Sequence, residues 1–390
     1  MTKKIMLIAG ESSGDLHGAH LAAELFALEP DLQLFGFGGS GMKQAGVEIL
    51  VDPTELAVIG IVEVLRHLGT FQAMFRKAAA TLDERRPDVV VLIDYPGFNL
   101  RFAREAKTRG IPVVYFISPQ IWAWDPGRIH KIKSLVSRML VVFPFEQKIY
   151  EQAGVPVTFV GHPLVEHVKP ALSRAESLQQ LGLEDRMPVV GLLPGSREGE
   201  VRRILPIFLA AGERMQKELP STTQFLLIKA PHLDWEIYRQ AMTRSALKPK
   251  VVERWDYSCI HSCDFVLVAS GTATLECALL ERPMLIAYKT SWPTYFLSRL
   301  LIKIPVIGLV NVVASADENG RITDKKIVPE FIQHSASPAL IAATAIQLWK
   351  EASWRNKMVE DFRKIKHSLG ETGASRRAAQ TILEELRKAG

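Results

Sequence analysis

The sequence predicts an α/β protein of two doubly wound domains, each with a parallel sheet covered by helices on both faces. Short, continuous apolar runs alternate with longer helical patterns along the whole chain. Runs without polar alternation indicate strands that are buried on both faces, as in parallel sheets. The series stops once, at a polar stretch marked by proline, and then resumes. The chain has 390 residues, which exceeds one ordinary core and fits two domains.

The strands fall into two groups. The first is KIMLIA, LQLFGF, VVVLID, VVYFIS, MLVVF and VTFVG; the second is PVVGLLP, QFLLIK, DFVLVA and PMLIAY. The polar stretch between them predicts domains at 1–165 and 166–369. Helical patterns close the chain near 336–351, 353–369 and 371–388. The last, at about 370–390, is a candidate for packing back onto the first domain.

The charge of the chain is concentrated in one region. Residues 101–138 contain eight Lys or Arg and two acids. This local excess of six positive charges equals the net charge of +6 of the whole chain. A basic face suits an anionic surface or a phosphorylated ligand; a solvated helix face is the alternative. No nucleic-acid partner is expected.

The cysteines and the N-terminus predict a cytoplasmic setting. Cys259, Cys263 and Cys277 form no CxxC pair, so we expect reduced thiols. Cys259 and Cys263 lie four residues apart, where buried small hydrophobes are favoured over a metal site. Lys3 and Lys4 lead directly into a strand, so we expect no secretory leader.

The loop GESSGDLHG follows the first strand, in the place of a dinucleotide phosphate loop. Its spacing is not G-x-G-x-x-G, which weakens an assignment as an NAD oxidoreductase. Glu11 and Asp15 would repel a pyrophosphate. Together with His17 they suit sugar hydroxyls or a proton in transfer. We interpret this segment as a reacting loop.

Asp94 ends the strand VVVLID and is our first choice as general base. Ligands of doubly wound sheets bind at the carboxyl ends of the strands, so Asp94 is expected at the mouth of the cleft between the domains. A role as helix cap is the alternative. Asn99 is the better placed cap, which would leave Asp94 free.

The segment SPQIWAW follows the next strand. Gln120, Trp122 and Trp124 supply the amide and aromatic groups that sugar and amphiphile sites use. Core packing of at least one of the tryptophans is the alternative.

The second domain contains two loops of phosphate-binding type. In PGSREGEV, Gly195 and Ser196 offer backbone N–H groups and Arg197 a bidentate guanidinium; an ordinary capping loop with a surface arginine is the alternative. In SGTATLE the small residues and hydroxyls suit a diphosphate. Glu276 could accept both ribose hydroxyls, or could serve only the helix dipole.

Two apolar stretches, 58–71 and 296–316, are too polar or too short to cross a membrane. Each can be an interfacial helix that touches lipid or a core helix. The residues predicted to contact the membrane are Val62, Val64, Leu65 and Leu68.

The motifs taken together resemble the lipid-A-disaccharide synthase family. They are GESSGDLHG, VLIDYPGFNL, SPQIWAW, GHPL, PGSREGEV, SGTATLE and GASRRAAQTILEEL, and they run in the family's order from residue 10 to about 386. The resemblance implies the GT-B fold, two Rossmann-like domains that face across a cleft. It implies inverting transfer of 2,3-diacylglucosamine from its UDP conjugate to 2,3-diacylglucosamine 1-phosphate (lipid X). The products are the β-1,6-linked disaccharide and UDP.

The resemblance also implies a metal-independent enzyme without cofactors, peripheral on the cytoplasmic face of the inner membrane of Gram-negative bacteria. Monomer and homodimer both remain open. Asp94 is the catalytic base, with Asp15 and His17 as rivals or supporting groups. The implied substrate-binding residues are Glu11, Ser13, Gly14, Gln120, Trp122, Trp124 and His162. The implied UDP-binding residues are Gly195, Ser196, Arg197, Ser270, Gly271, Thr272, Ala273, Thr274, Glu276 and Asn311.

One segment departs from the family pattern. Val310 stands where the family usually has proline before Asn311, and the polar stretch SADENGRITD is inserted soon after. Asn311 remains a ligand candidate, on a wall of the site that this departure alters.

Two other functions are compatible with these motifs. A UDP-N-acetylglucosamine 2-epimerase shares the fold but needs neither the apolar 58–71 stretch nor the basic face. A non-catalytic, membrane-associated sugar-nucleotide-binding protein would tolerate replacement of Asp94 by Asn.

Overall fold

The computed structural model describes residues 2–53, 68–253 and 256–388, in two compact units. Unit 1 contains the chain up to Pro163, the segment Glu318–Gly320 and the chain from Leu369 onward. Unit 2 contains Leu164–Asp317 and Arg321–Ser368.

Unit 1 is built on a parallel sheet. Its strands are β1 (Lys4–Ala9), β2 (Gln33–Phe37), β3 (Glu48–Val51), β4 (Val89–Ile93), β5 (Val113–Phe116), β6 (Arg138–Val141) and β7 (Val157–Phe159). The order is β3-β2-β1-β4-β5-β6-β7, and β1 pairs in parallel with both β2 and β4. The order reverses between β1 and β4, so the loops after these two strands flank the topological switch point where such sheets bind ligands.

The helices of unit 1 that precede unit 2 are α1 (Ser12–Leu28), α2 (Ser40–Gln44), α3 (Leu68–Arg85), α4 (Pro96–Thr108), α5 (Ile121–Trp124), α6 (Arg128–Leu135) and α7 (Pro144–Gln152). Strand β4 reads VVVLI and every residue in it is buried. Val90 and Leu92, on one face of this strand, join one core with α3, α4 and α6. The continuous apolar runs therefore mark sheet strands that are covered on both sides.

Unit 2 repeats this plan. Its strands are β8 (Val189–Leu193), β9 (Gln224–Lys229), β10 (Lys250–Glu253), β11 (Phe265–Ala269), β12 (Met284–Tyr288) and β13 (Glu330–Ile332), in the order β10-β9-β8-β11-β12-β13. The helices are α8 (Leu164–His167), α9 (Arg174–Leu181), α10 (Glu198–Met215), α11 (Trp235–Thr243), α12 (Ser258–His261), α13 (Ala273–Leu279), α14 (Trp292–Leu301), α15 (Leu309–Ser315), α16 (Pro338–Lys350) and α17 (Ala352–Ser368).

The last helix, α18 (Ala374–Lys388), belongs to unit 1. Its buried face packs on α1, and Arg387 forms an ion pair with Glu29 at 3.1 Å. Glu385 accepts from Arg138, at the start of β6, at 3.2 Å.

The predicted fold class is confirmed, and each of the ten predicted strands is present. The sequence missed β3, β10 and β13. These are short strands at sheet edges, and their charged or half-exposed residues interrupt the apolar pattern that marks a buried strand.

The three cysteines are buried, as predicted for small apolar side chains. Burial raises the pKa of the Cys263 thiol well above its usual value, with the neighbouring Cys259 and Cys277 acting in the same direction. All three cysteines fill the core of unit 2 as small apolar side chains.

The basic region at 101–138 is partly neutralised in the fold. Arg109 binds the carboxylate of Asp83 through two nitrogens, at 2.8 and 3.0 Å. Arg138 pairs with Glu385, far away in sequence. Part of the local excess of positive charge is therefore used in ion pairs within unit 1.

Candidate active site

A strained turn follows β4 in unit 1. Asp94 and Tyr95 both adopt left-handed backbone conformations, with φ of +48° and +47°. Such a residue costs about 1–3 kcal/mol unless its surroundings hold it there. Asn99 Nδ2 donates to the carbonyls of Ile93 (3.2 Å) and Asp94 (2.7 Å), and Tyr115 Oη donates to the Asp94 carbonyl at 2.6 Å. Buried side chains thus fix the backbone that carries Asp94.

The prediction that Asn99 caps the helix is wrong. Helix α4 begins at Pro96, and Asn99 is buried within its first turn. Proline is favoured at the first helical position because its missing N–H needs no partner there. The helix therefore starts earlier than expected, and Asn99 is available to hold the turn.

The carboxyl group of Asp94 has a perturbed pKa. Burial, reinforced by the negative charge of Glu11, raises the pKa of Asp94 to about 6, against an opposing backbone hydrogen bond from Tyr95. At neutral pH the group is ionised, yet it takes up a proton far more readily than an ordinary aspartate. This is the property required of a general base.

Asp15 has a different environment, in the first turn of α1. Its carboxylate is buried and accepts backbone N–H bonds from Gly39 (2.7 Å), Gly41 (2.8 Å) and Met42 (3.0 Å). These donors hold the β2–α2 loop against α1. The geometry speaks against the expected catalytic role of Asp15, because its oxygens are already engaged by backbone groups.

Other residues of the reacting loop divide between surface and interior. Glu11 and Ser13 are exposed, whereas Gly14 is buried against Ala9 of β1. A side chain at Gly10, directly before them, would collide with the ring of Tyr95. The β1–α1 loop and the turn after β4 are therefore packed directly on each other.

The two histidines of the candidate site are His17 and His162. His17 on α1 presents its ring to Phe116 at 6.5 Å, edge to face. His162 is buried with its ring 5.0 Å from that of Phe143. Burial, and next the charge of His17, lower the pKa of His162 to about 3. His162 is accordingly a neutral imidazole at physiological pH.

The SPQIWAW segment is anchored by a buried carboxylate. Glu146 Oε1 accepts from Ser118 Oγ at 2.7 Å and from Trp122 Nε1 at 3.0 Å, and Glu146 Oε2 accepts from the Phe143 N–H at 3.4 Å. Burial raises the pKa of Glu146 to about 7, although each of these hydrogen bonds acts to lower it. Trp122 is therefore packed into unit 1.

The remaining aromatic and amide groups of that segment face outward. Trp124 is exposed, with the Arg128 guanidinium 4.4 Å above its ring, and Gln120 is exposed as well. Core packing therefore describes Trp122, whereas Trp124 is the solvent-accessible aromatic group of the pair.

In unit 2 the loop after β8 presents Arg197. Its guanidinium is exposed and lies 3.6 Å from Glu200. Gly195 has φ of +118°, and a Cβ there would lie 2.7 Å from the Glu200 carboxylate. His232 Nε2 bonds the Ser196 carbonyl at 2.8 Å. These contacts give the loop a defined shape while leaving Arg197 accessible.

The loop after β11 is the second such element. Ser270 Oγ donates to the Ile307 carbonyl at 3.0 Å, and Thr274 Oγ1 donates to the Gly271 carbonyl at 2.8 Å. Thr272 is exposed, Ala273 half-buried, and nothing lies within 4 Å of a Cβ built at Gly271. The loop has open space next to its backbone. Glu276 is buried in α13 and accepts from Tyr257 Oη at 3.4 Å.

Asn311 does not fit its expected role as a ligand. It is buried in α15, and its Nδ2 donates to Val328 O (2.8 Å) and Glu330 Oε1 (2.9 Å). Its Oδ1 accepts from the N–H groups of Ile327 (3.0 Å) and Val328 (3.1 Å). The carboxamide is fully used in fastening α15 to the strand β13 region.

The departure at Val310 has a structural counterpart. Its N–H donates to Thr274 Oγ1 at 3.4 Å, a bond that proline could not make. The inserted stretch folds on itself, with an antiparallel bridge between Ala316 and Ile322 and a bond from Asp317 N to Arg321 O at 2.9 Å.

Three of the predicted membrane contacts, Val62, Val64 and Leu65, lie outside the described residues, and of Leu68 only the backbone is described. In residues 2–53, 68–253 and 256–388, no helix combines the length and hydrophobicity needed to cross a bilayer. The same ranges contain no group of three or more His, Cys, Asp or Glu placed to hold a metal ion.

Comparison with known proteins identifies the family. A family model described as lipid-A-disaccharide synthetase matches residues 5–384. The lipid-A-disaccharide synthase of Geobacter sulfurreducens is 43% identical over 385 residues, which cover 99% of this chain and 98% of the relative. That of Nitrosococcus oceani is 43% identical over 382 residues, covering 98% and 96%. The chain belongs to the lipid-A-disaccharide synthase family.

Solved structures agree with the GT-B fold. A UDP-GlcNAc 2-epimerase from Neisseria meningitidis superposes with a TM-score of 0.64 at 15% identity, covering 98% of this chain and 100% of the other. The calicheamicin glycosyltransferase CalG4 gives a TM-score of 0.59 at 15% identity, with both chains fully covered. At such identity the likeness to epimerases shows the fold alone. Membership of the lipid-A-disaccharide synthase family makes the chain a glycosyltransferase, and the epimerase and non-catalytic alternatives are set aside.

Sequence reasoning missed several residues that shape the candidate site of this family member. Glu146 follows Pro144 at the start of α7 and looks like a surface helix-start residue. It becomes a buried anchor in the fold, where Ser118 and Trp122, 28 and 24 residues earlier, donate to its carboxylate. Tyr115 has the sequence context of an ordinary strand residue, and Gly10 that of an ordinary loop glycine. Nothing in the sequence marks the bond from Tyr115 to Asp94 or the contact of Gly10 with Tyr95.

Proposed function

We propose that the chain transfers 2,3-diacylglucosamine from UDP-2,3-diacylglucosamine to the 6-hydroxyl of lipid X. The products are the β-1,6-linked disaccharide 1-phosphate and UDP. Family membership supports the reaction class, and the observation that carries the chemistry is Asp94. It is a half-buried carboxylate at the carboxyl end of a central strand, with its pKa raised to about 6 and its backbone locked by Asn99 and Tyr115.

The chemical step is a single in-line displacement. The 6-oxygen of the acceptor forms a bond to the anomeric carbon of the donor as the bond from that carbon to the UDP oxygen breaks. The hydroxyl proton passes to the Asp94 carboxylate, which must be ionised to receive it. Asp15 is excluded from this proposal because three backbone donors engage it. His17, close enough to shift the pKa of His162, is kept as a supporting group.

The donor is assigned to unit 2. Arg197 is exposed on a loop held by Gly195 and Glu200, and its planar guanidinium matches two oxygens of a diphosphate. The Ser270–Thr274 loop adds backbone N–H groups and the exposed Thr272 hydroxyl. In this proposal these groups stabilise the leaving UDP, and Glu276 accepts from the ribose.

The acceptor is assigned to unit 1, on the groups around Asp94 and the Glu146-anchored loop. The acceptor-binding residues we propose are Glu11, Ser13, Gln120, Trp122, Trp124 and His162. Acylated sugars are held in a membrane by their chains, so the proposal places the enzyme at the cytoplasmic surface of the inner membrane.

The test is a radiolabel transfer assay in detergent micelles with UDP-2,3-diacylglucosamine and lipid X. We compare the wild type with Asp94→Ala and, as control, with Asp83→Ala, an exposed carboxylate of the same unit. Asp94→Ala should lose turnover by at least about 100-fold, as expected for a general base, and still bind UDP in calorimetry. Near-normal turnover of Asp94→Ala would remove the base assignment. UDP binding by the wild type without any disaccharide product would refute the substrates.

A further inference from the structure

Helix α14 of unit 2 exposes an unusual amount of apolar surface, and none of its described residues is buried. The side chain of Leu300 is 81% exposed and that of Phe296 62%. The large apolar side chains exposed in this segment are Trp292, Phe296, Leu297, Leu300, Leu301 and Ile302. Elsewhere in the described part of the chain, the large apolar side chains with comparable exposure are Leu16, Trp124, Trp235 and Leu340, each on a different helix. A concentrated patch of this kind marks an interaction surface.

The apolar side chains lie along one side of the helix. Phe296, Leu297, Leu300 and Leu301 follow Trp292 at intervals of four, five, eight and nine residues, which place them within half of the helical circumference. Thr294 and Ser298 lie on the other side. This is the arrangement of a helix that rests lengthwise in an apolar–polar interface.

The helix is fastened to unit 2 at its beginning. Thr290, just before it, exchanges two hydrogen bonds with the side chain of Gln333, at 2.8 and 3.2 Å. The ring of His334 packs on that of Trp292 at 4.8 Å. The apolar face is therefore presented by an anchored element, and Trp292 lies at its edge, where an amphipathic indole suits a headgroup region.

The charge along the segment that contains α14 is of one sign. Lys289, Arg299 and Lys303 are exposed, and the sequence from Lys289 to Ala316 contains no Asp or Glu. A protein partner generally meets a polar rim of mixed charge, whereas an apolar face flanked along its own segment by basic residues alone complements anionic headgroups.

We infer that α14 is a bilayer-contacting element, which inserts its Trp292–Ile302 face among the headgroups and upper acyl chains of an anionic membrane. The inference rests on the proposed function only in that lipid substrates must be met in a bilayer. It concerns a segment of unit 2, different in sequence from the predicted contacts at Val62, Val64, Leu65 and Leu68.

The test is cosedimentation of the full chain with vesicles of phosphatidylcholine and phosphatidylglycerol in equal parts, and with phosphatidylcholine alone. Leu300→Glu and Phe296→Glu are compared with Leu340→Glu, an exposed leucine on another helix of unit 2. Because the altered side chains are exposed, the variants should keep the thermal unfolding midpoint of the wild type. Each substitution on α14 should weaken vesicle binding by about tenfold or more, from the loss of one inserted side chain. Leu340→Glu should bind as the wild type.

Activity in detergent micelles separates this inference from the proposed function. Leu300→Glu should retain micellar turnover, so failure of the wild type in that assay would refute the reaction and leave the vesicle result standing. Wild-type binding to vesicles that Leu300→Glu and Phe296→Glu do not weaken would overturn the inference. Equal binding of the wild type to neutral and anionic vesicles would also overturn it. If substitution lowers the mass measured by light scattering and leaves vesicle binding unchanged, the apolar face is covered by a second copy of the chain, and the inference is likewise overturned.

Discussion

The ring of Tyr95 covers Gly10 so closely that residue 10 has no room for a side chain. A Cβ at Gly10 would lie 2.1 Å from Cδ1 and 2.5 Å from Cγ of that ring. Tyr95 directly follows Asp94, and both have left-handed backbones. The loop that carries Glu11 and the turn that carries Asp94 are therefore fixed against each other, which is how Glu11 comes to raise the pKa of Asp94.

Gly10→Ala should disable the enzyme without altering a polar group. The added methyl displaces Tyr95 and with it Asp94, so we expect a loss of turnover of at least about tenfold and a loss of roughly 1–3 kcal/mol in the free energy of unfolding. Gly97→Ala is the control, because a Cβ at Gly97 meets nothing within 4 Å. Turnover and denaturant unfolding of both variants check the prediction. Equal effects of the two changes would contradict it.

Asp94→Asn should be inactive yet more stable than the wild type. The pKa of Asp94 rises from 3.8 to about 6 on folding, so the folded state holds its proton more tightly than the unfolded state. Ionisation therefore destabilises the fold progressively between about pH 4 and 6, and fully above that range. One pKa unit corresponds to about 1.4 kcal/mol, so the amide should recover up to roughly 3 kcal/mol at pH 7. It should bring no gain at pH 3. The free energy of unfolding in urea, measured at pH 7 and pH 3, checks this prediction. A variant less stable than the wild type at pH 7 would contradict it and would show that the ionised carboxylate is stabilised by its surroundings.

Glu11→Gln should move the acid side of the pH–rate profile to lower pH. Turnover should fall as the pH drops through the pKa of Asp94, near 6, because the base becomes protonated. Removal of the negative charge of Glu11 lowers that pKa. The variant should keep more of its plateau rate at pH 5 than the wild type, and salt should reduce the difference because Glu11 is exposed. Glu29→Gln, at the other end of α1, should leave the profile unchanged. An unshifted profile for Glu11→Gln would contradict the coupling.

Asp15→Asn should impair folding more than chemistry. The amide cannot accept from all three of the N–H groups of Gly39, Gly41 and Met42, and a buried unsatisfied donor costs about 1–3 kcal/mol. We expect a lower thermal midpoint, opposite in sign to the change in Asp94→Asn, with turnover of the folded fraction within a few-fold of the wild type. A fully folded but inactive Asp15→Asn variant would contradict this and would indicate that Asp15 takes part in catalysis.

Glu146→Gln should abolish a pH response of Trp122. As the pH falls through about 7, Glu146 takes up a proton, and its bonds from Ser118 and Trp122 lose their charge assistance. The fluorescence difference between the wild type and Trp122→Phe should therefore change between pH 8 and 6. In the Glu146→Gln background the same difference should be flat. A pH response that persists in that background would assign it to another group.

The sequence by itself determined most of the sheet strands of this protein. Most of the ten predicted strands are recognised by uninterrupted apolar runs, because a strand covered on both faces has no place for a polar side chain. The edge strand β7 is only half-buried, yet it carries a similar apolar run. The sequence also located the loops of the candidate site. Asp94, Gln120, Arg197 and Ser270 lie at or soon after strand ends, and the family motifs are found in the same segments. The edge strands β3, β10 and β13 escaped because an edge tolerates charge.

Only the tertiary structure decided what each polar residue does. Asp15 and Asp94 are both acids beside glycine-containing loops in the sequence, but one meets three backbone donors and the other a tyrosine turn and a second carboxylate. Asn311 and Glu146 likewise have roles set by partners 16 to 28 residues away. The role of a polar side chain depends on which groups satisfy it and how much water it retains. Those are properties of the surrounding fold, which local sequence does not encode.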